Sequence, residues 1–210
     1  MKKLTFTLLV LTLLLLAACA SGPPDPADYK GTTLVTPIPA PDFGLINAEG
    51  DTVSLSDFED KIVLLYFGYS FCPDVCPATL SELGQVQREL DDAGENIQVV
   101  MVTVDPLRDT PQQLAEYVSH FHPTFIGLSG EREAIDAAGE GYGVFYEIHE
   151  GTPASGYLVD HTARVFVVDP QGMYQLSFGF GTPVDDIVHD LRLMMRGMSG
   201  DRTKNSRVVR

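Results

Sequence analysis

Hydrophobic positions along this chain alternate between two rhythms. Ile62-Val63-Leu64-Leu65-Tyr66-Phe67 is an unbroken apolar run, which predicts a strand covered on both faces. Ile97-Gln98-Val99-Val100-Met101-Val102-Thr103-Val104 predicts a second buried strand. Between them, from Pro77 to Leu90, the residues Leu80, Leu83, Val86 and Leu90 recur at helical spacing, with Glu82, Arg88 and Glu89 off that stripe. Asp109-Thr110-Pro111 supplies a cap and an N-terminal proline for a helix running to about His120. A short strand is expected around Thr124 to Leu128 and a helix from about Glu131 to Glu140. Arg164–Val168 and Tyr174–Phe178 flank Asp169-Pro170-Gln171-Gly172, a strand-turn-strand signal, and Pro183 to Met195 closes the pattern as an amphipathic helix.

The order β-α-β-α-β-α-β-β-α predicts an α/β protein: a three-layer sandwich around a central mixed sheet, its late hairpin antiparallel and its early strands joined by crossovers. A thioredoxin-like fold meets that description. A doubly wound nucleotide-binding fold shares the alternation, but no glycine-rich phosphate loop follows the first strong strand; cysteines stand there instead.

The two ends break the pattern. Met1-Lys2-Lys3 precedes an apolar run from Leu4 to Ala18, interrupted only by threonines, so residues 1–18 read as an export signal rather than a membrane span. Leu16-Ala17-Ala18-Cys19 resembles the lipobox of bacterial lipoproteins. That resemblance implies lipidation at Cys19 and a domain held to a bacterial membrane, in the periplasm or extracytoplasmic space. An ordinary signal peptide, or a tethering helix with an incidental cysteine, is the alternative. Residues 19–41 carry six prolines from Pro23 to Pro41 and few large apolar side chains, which predicts an extended tether. Residues 42–196 form one domain of ordinary size, and 197–210 a flexible polar tail.

Charge narrows the partners. There are 29 acidic and 14 basic residues, a formal net charge of -15, and the leader removes Lys2 and Lys3 besides. So negative a surface argues against nucleic acid and against an electrostatic grip on anionic lipid, and favours cationic partners, metal ions among them.

The candidate chemistry lies in Phe67-Gly68-Tyr69-Ser70-Phe71-Cys72-Pro73-Asp74-Val75-Cys76-Pro77. With Cys19 assigned to an anchor, Cys72 and Cys76 are the remaining thiols. Positions four apart lie on one face of a helix, so both sulfurs can converge on one small object, or join as a disulfide if the first turn is not rigid. Cys72 is expected at or just before the first turn, with Pro73 in the first helical position, where the helix dipole favours a thiolate. A structural disulfide gains little from so short a loop. A redox centre and a soft metal site remain, the latter biased toward Cu(I) with Zn(II) as competitor.

His161, in Asp160-His161-Thr162-Ala163 just before the Arg164–Val168 strand, is the best placed third ligand. In a thioredoxin-like sheet that connection passes beside the start of the cysteine-bearing helix, and Asp160 or Thr162 can orient the ring. His120, His122 and His189 read as capping, packing or surface residues, and His149, in a Glu-rich loop, as at most an auxiliary metal contact. Val104-Asp105-Pro106-Leu107-Arg108-Asp109 lies at the carboxyl end of a strand, where ligand sites gather. Asp105 is expected to fix that loop or help orient the metal shell, and Asp109 to cap the following helix.

These segments together resemble the Sco/SenC family of copper-binding, thioredoxin-fold proteins that assist cytochrome c oxidase assembly, over roughly Pro39 to Arg196. The resemblance rests on the cysteine loop, on Val104-Asp105-Pro106 with Arg108-Asp109-Thr110-Pro111, and on Asp160-His161-Thr162, in order and spacing. It implies Cys72, Cys76 and His161 as copper ligands, Cu(I) preferred and Cu(II) admitted, with Asp160 supporting them and Asp105 serving the loop that faces the site. It further implies a membrane-tethered metallochaperone that takes copper from a periplasmic or extracytoplasmic donor and assists maturation of the Cu(A) site of oxidase subunit II, or reduces the cysteines that receive the metal. In the latter role Cys72 attacks and Cys76 resolves. A thiol-disulfide oxidoreductase without metal is the main alternative, although its usual two-residue spacer is missing. A peroxiredoxin-like peroxidase is the lesser one, since its Pro-x-x-x-Thr/Ser-x-x-Cys approach is absent.

Overall fold

The structure is a computed structural model and describes residues 24–152 and 156–205. The expected leader and Cys19 lie outside the described residues.

In chain order the elements are β1 (Thr32–Pro39), β2 (Gly44–Ile46), β3 (Thr52–Ser54), β4 (Ile62–Gly68), α1 (Val75–Glu89), β5 (Ile97–Thr103), α2 (Pro111–Ser119), β6 (Ile126–Leu128), α3 (Arg132–Glu140), β7 (Tyr146–Glu150), β8 (Tyr157–His161), β9 (Arg164–Val168), β10 (Met173–Gly179) and α4 (Val184–Asn205). Six strands build one sheet in the order β1-β10-β9-β4-β5-β6. The β4, β5 and β6 strands run parallel, whereas β9 and β10 form the expected antiparallel hairpin, with β9 against β4. This is the mixed sheet of a thioredoxin-like fold. Every residue of β4 and β5 is buried, as their unbroken apolar runs require. Alternate side chains of β4 serve opposite faces: Tyr66 reaches Cys76 in α1, while Phe67 packs on Tyr142, just past α3. Helices α1 and α4 pack against each other. At the β9–β10 turn, Asp169 accepts from the Gln171 and Met173 amides, and Gly172 takes the positive φ of 74° that the turn demands.

Four features differ from the sequence reading. Thr32–Pro39, assigned to the tether, is instead an edge strand on β10. An edge tolerates proline because the missing N–H is not needed by a second neighbour, and Pro37 falls where the register shifts between Thr33 and Ile38. The last helix runs beyond Met195 to Asn205, through most of the expected tail, since an established helix gains a hydrogen bond with each residue added. The segment around His149, expected as loop, is the β7–β8 hairpin, a two-stranded sheet of its own. A further small ribbon, β2–β3, has strands too short to show a period. Among the described residues no helix is long and apolar enough to cross a membrane.

Candidate metal centre

Strand β4 ends at Gly68 and the chain turns through Tyr69–Asp74 before α1 begins. The helix starts at Val75 with Asp74 in the capping position, so Pro73 lies before the helix rather than at its first residue. Cys76 is therefore near the N-terminus of α1 and Cys72 is outside it. Convergence of the sulfurs comes from the turn, closed by the Cys72 amide on the Tyr69 carbonyl at 3.3 Å, and not from two positions on one helical face. The Cys76 amide, an otherwise unpaired N–H of the first helical turn, donates to Cys72 Sγ at 3.4 Å. Both cysteines are free thiols; Cys76 is fully buried and Cys72 half-buried.

His161, the last residue of β8, brings its Nε2 to 3.2 Å from Cys76 Sγ. Its Nδ1 faces the Thr162 carbonyl oxygen at 3.4 Å. A carbonyl only accepts, which favours the proton on Nδ1 and leaves the Nε2 lone pair turned toward the sulfurs. One donor atom from each of Cys72, Cys76 and His161 lies within 4.8 Å of the other two. Three donors each about 2.2 Å from one ion stand about 3.8 Å apart in a trigonal arrangement, so this triangle fits a soft metal with little adjustment.

The thiols are electrostatically unequal. The hydrogen bond from the Cys76 thiol, aided by the amides of Asp74 and Cys76, holds Cys72 far below the usual thiol range against the opposing effect of burial. Cys76 is driven up by the same sharing with Cys72 and by burial. The reduced pair thus carries one thiolate, on Cys72, and one retained proton, on Cys76.

Aromatic rings wall the site. Tyr66 donates its hydroxyl to Cys76 Sγ at 3.5 Å and meets the His161 ring edge-on at 6.0 Å, and Tyr69 meets the same ring at 5.9 Å. Burial raises the pKa of both tyrosines, so they stay neutral donors. Gly68 leaves room for the buried sulfur: a Cβ there would lie 2.9 Å from Cys76 Sγ.

The supporting carboxylates divide otherwise than expected. Asp105 is fully buried, pairs with Arg108 and accepts from the Tyr157 hydroxyl at 2.6 Å, so it does fix the loop facing the site. Asp160 does not support His161. Neighbouring strand residues point to opposite faces, and the Asp160 side chain, 80% exposed, turns away to His149 Nε2 at 3.1 Å. Asp109 does not cap α2 either. Thr110 does, accepting from the Gln113 amide at 3.3 Å, while Asp109 is buried and accepts from the Ser70 amide at 3.0 Å, the Ser70 hydroxyl and the Thr103 hydroxyl at 2.7 Å. Asp109 thereby anchors the cysteine loop, a role the proline after Thr110 concealed. Sequence reasoning also passed over Tyr66 and Tyr69. Their place at the end of the buried strand leading to Cys72 was the available signal.

A thioredoxin-like sheet with two thiols and an imidazole gathered at the carboxyl end of its central strands defines a class of thiol protein suited to soft metals or to disulfide exchange. The chain belongs to the SCO1/SenC family, which it matches over residues 33–196. It is 35% identical to the mitochondrial protein SCO2 homolog of Mus musculus over 153 residues, 72% of this chain but only 60% of that protein. The solution structure of apo Sco1 from Thermus thermophilus is 44% identical, covering 78% of this chain and 95% of that one, with a TM-score of 0.71. The crystal structure of Arabidopsis thaliana ScoI with copper bound is 32% identical, covering 76% and 99% of the two chains, also with a TM-score of 0.71.

Proposed function

We propose that this protein is a copper chaperone that holds Cu(I) between Cys72, Cys76 and His161 and passes it to the cysteines of a recipient, the Cu(A) site of cytochrome c oxidase subunit II. The carrying observation is the triangle of two sulfurs and one imidazole nitrogen within 4.8 Å, in a family whose Arabidopsis thaliana member ScoI has a crystal structure with copper bound. Two thiolates and an imidazole suit Cu(I), which accepts low coordination, and leave a Cu(II) state to recruit a further weak ligand. An incoming thiolate can displace one donor at a time, so the ion need never be free. Phe71, 55% exposed beside Cys72, and Leu107, 79% exposed beside Arg108, offer apolar contact for a docking protein next to the half-buried sulfur. Lipidation at Cys19 would hold the domain at an extracytoplasmic membrane face, where a copper donor and the oxidase both have access.

Anaerobic Cu(I) titration of the reduced protein is expected to give one tight site, lost in Cys72→Ser and Cys76→Ser and weakened in His161→Ala. X-ray absorption of the loaded protein should show two sulfurs and one nitrogen; a spectrum without sulfur would sink the assignment.

A second reading, reduction of partner disulfides, is favoured by the low pKa of Cys72, the more accessible thiol, beside a partner that retains its proton. Loss of Cu(A) assembly that copper supplementation restores in cells lacking the protein would mark delivery. Loss restored only by reductant would mark reduction.

A further inference from the structure

We propose that Arg108 is a positioning residue for this centre: its guanidinium pins the hairpin that brings His161 to the loop that brings Cys72. The inference rests on the copper reading above and adds to it a residue that touches none of the three donor atoms.

The need for such a pin follows from the topology. Cys72 and Cys76 belong to the main body, in the turn after β4 and at the start of α1. His161 ends β8, and β7–β8 pairs only with itself. No ladder of the six-stranded sheet fixes the hairpin; the short link Thr162-Ala163 ties its end to β9, and side chains that cross the gap set the rest of the distance from imidazole to sulfur. Phe145 and Thr162 are tied to each other, but both lie at the base of the same hairpin. The Tyr69 hydroxyl accepts from the Val159 amide at 3.2 Å, one tie from the cysteine loop.

On the other strand, the Tyr146 hydroxyl of β7 accepts from Arg132 Nη1 at 2.9 Å and donates to Asp136, both in α3. Arg108 holds β8, the strand that carries His161. Its Nη1 donates to the Tyr157 carbonyl at 3.0 Å, on the first residue of β8. Its guanidinium carbon lies 3.7 Å from the centre of the Tyr157 ring, 4.9 Å from that of Phe71 and 5.6 Å from that of Tyr69. Phe71 is the neighbour of Cys72, and Tyr157 is on the same strand as His161. Nε is bound to the buried Asp105, whose other oxygen accepts from the Tyr157 hydroxyl at 2.6 Å. One planar cation thus joins the cysteine loop, the loop after β5 and the hairpin. The combination of stacking faces with forked donors belongs to arginine, and a lysine ammonium cannot reproduce it.

Arg108→Lys keeps the positive charge beside Asp105, which Arg108→Ala would leave buried and short of a counter-ion. Tyr157→Leu attacks the same contact from the hairpin side with Arg108 intact. Each is expected to weaken Cu(I) binding, measured anaerobically by competition with a chromophoric chelator, by about tenfold, the scale seen when partners behind metal ligands are lost. In a His161→Ala background Arg108→Lys should cost nothing further. An undiminished loss there would overturn the proposal, because Arg108 would then not act through the imidazole. A second readout needs no metal. In the reduced metal-free protein, Arg108→Lys should shift the NMR signals of the His161 ring and speed hydrogen exchange at the Val159 amide, and unchanged signals would equally overturn it. If the unmodified protein takes up no Cu(I), the copper reading fails, while the ring signals and amide exchange still decide the role of Arg108.

Discussion

Cys76 and Gly68 show how closely the chemistry of single residues is coupled here. The sulfur sits against the Gly68 backbone, and a methyl group at that position would meet both Cys76 Sγ and, at 2.7 Å, the Tyr66 ring. Gly68→Ala is therefore expected to cost about 1–3 kcal/mol by overpacking, seen as a lower denaturant midpoint, and to weaken metal binding by pushing the sulfur off its place. The unequal thiols give a second expectation. Cys72 is already ionised and Cys76 still protonated near neutral pH, so closing a two-thiolate site around Cu(I) must expel the Cys76 proton. Apparent affinity should then rise with pH, by about tenfold per unit while that one proton is being displaced. Calorimetry in buffers of different ionisation enthalpy should report one proton released. At this scale the sequence was legible where residue type is rare and chemically committed: two cysteines and one histidine, read as converging, lie within 4.8 Å. It was illegible where direction mattered. Asp109 and Asp160 each stand beside the residue they were expected to serve, yet backbone geometry turns both carboxylates elsewhere.

Among the elements, the turn between β4 and α1 is held by a single buried carboxylate. Asp109→Ala removes the acceptor for the Ser70 amide, the Ser70 hydroxyl and the Thr103 hydroxyl together. Leaving such donors unpaired is expected to cost about 3 kcal/mol in denaturant unfolding. Iodoacetamide should then react faster with Cys72 as its loop loosens, whereas Asp109→Asn, which keeps one acceptor oxygen, should fall between. Elements with long unbroken or strongly periodic apolar patterns (β4, β5, α1 and the β9–β10 pair) were readable because burial on both faces, or on one stripe, leaves no other arrangement. The β7–β8 hairpin was not. Its Tyr146-Glu147-Ile148-His149-Glu150 strand is mostly exposed, so no buried face imposes a clean alternation, and its ladder is satisfied by its own partner strand.

For the molecule as a whole, the N-terminal boundary is where composition misled. Beyond the β1–β10 pairing, the Lys30 and Gly31 amides donate to Asp190, a fully buried carboxylate in α4, at 2.9 and 2.8 Å. A chain begun at Asp42 takes both amides from that carboxylate and leaves it the His189 ring, whose Nδ1 stands 2.9 Å away. It is expected to be less stable than a chain begun at Pro24 by about 3–5 kcal/mol, the scale for stranding a buried charge, and thermal unfolding of the two compares them directly. Proline-rich composition argued for a segment that cannot pack, but a marginal strand needs only one neighbour. That same strand has a colloidal consequence. One flank of the sheet is closed by a strand ending in prolines and the other by β6, only three residues long. Neither margin presents a long run of free amides and carbonyls on which a second copy could extend the ladder, so crowding many copies together should not seed fibrils.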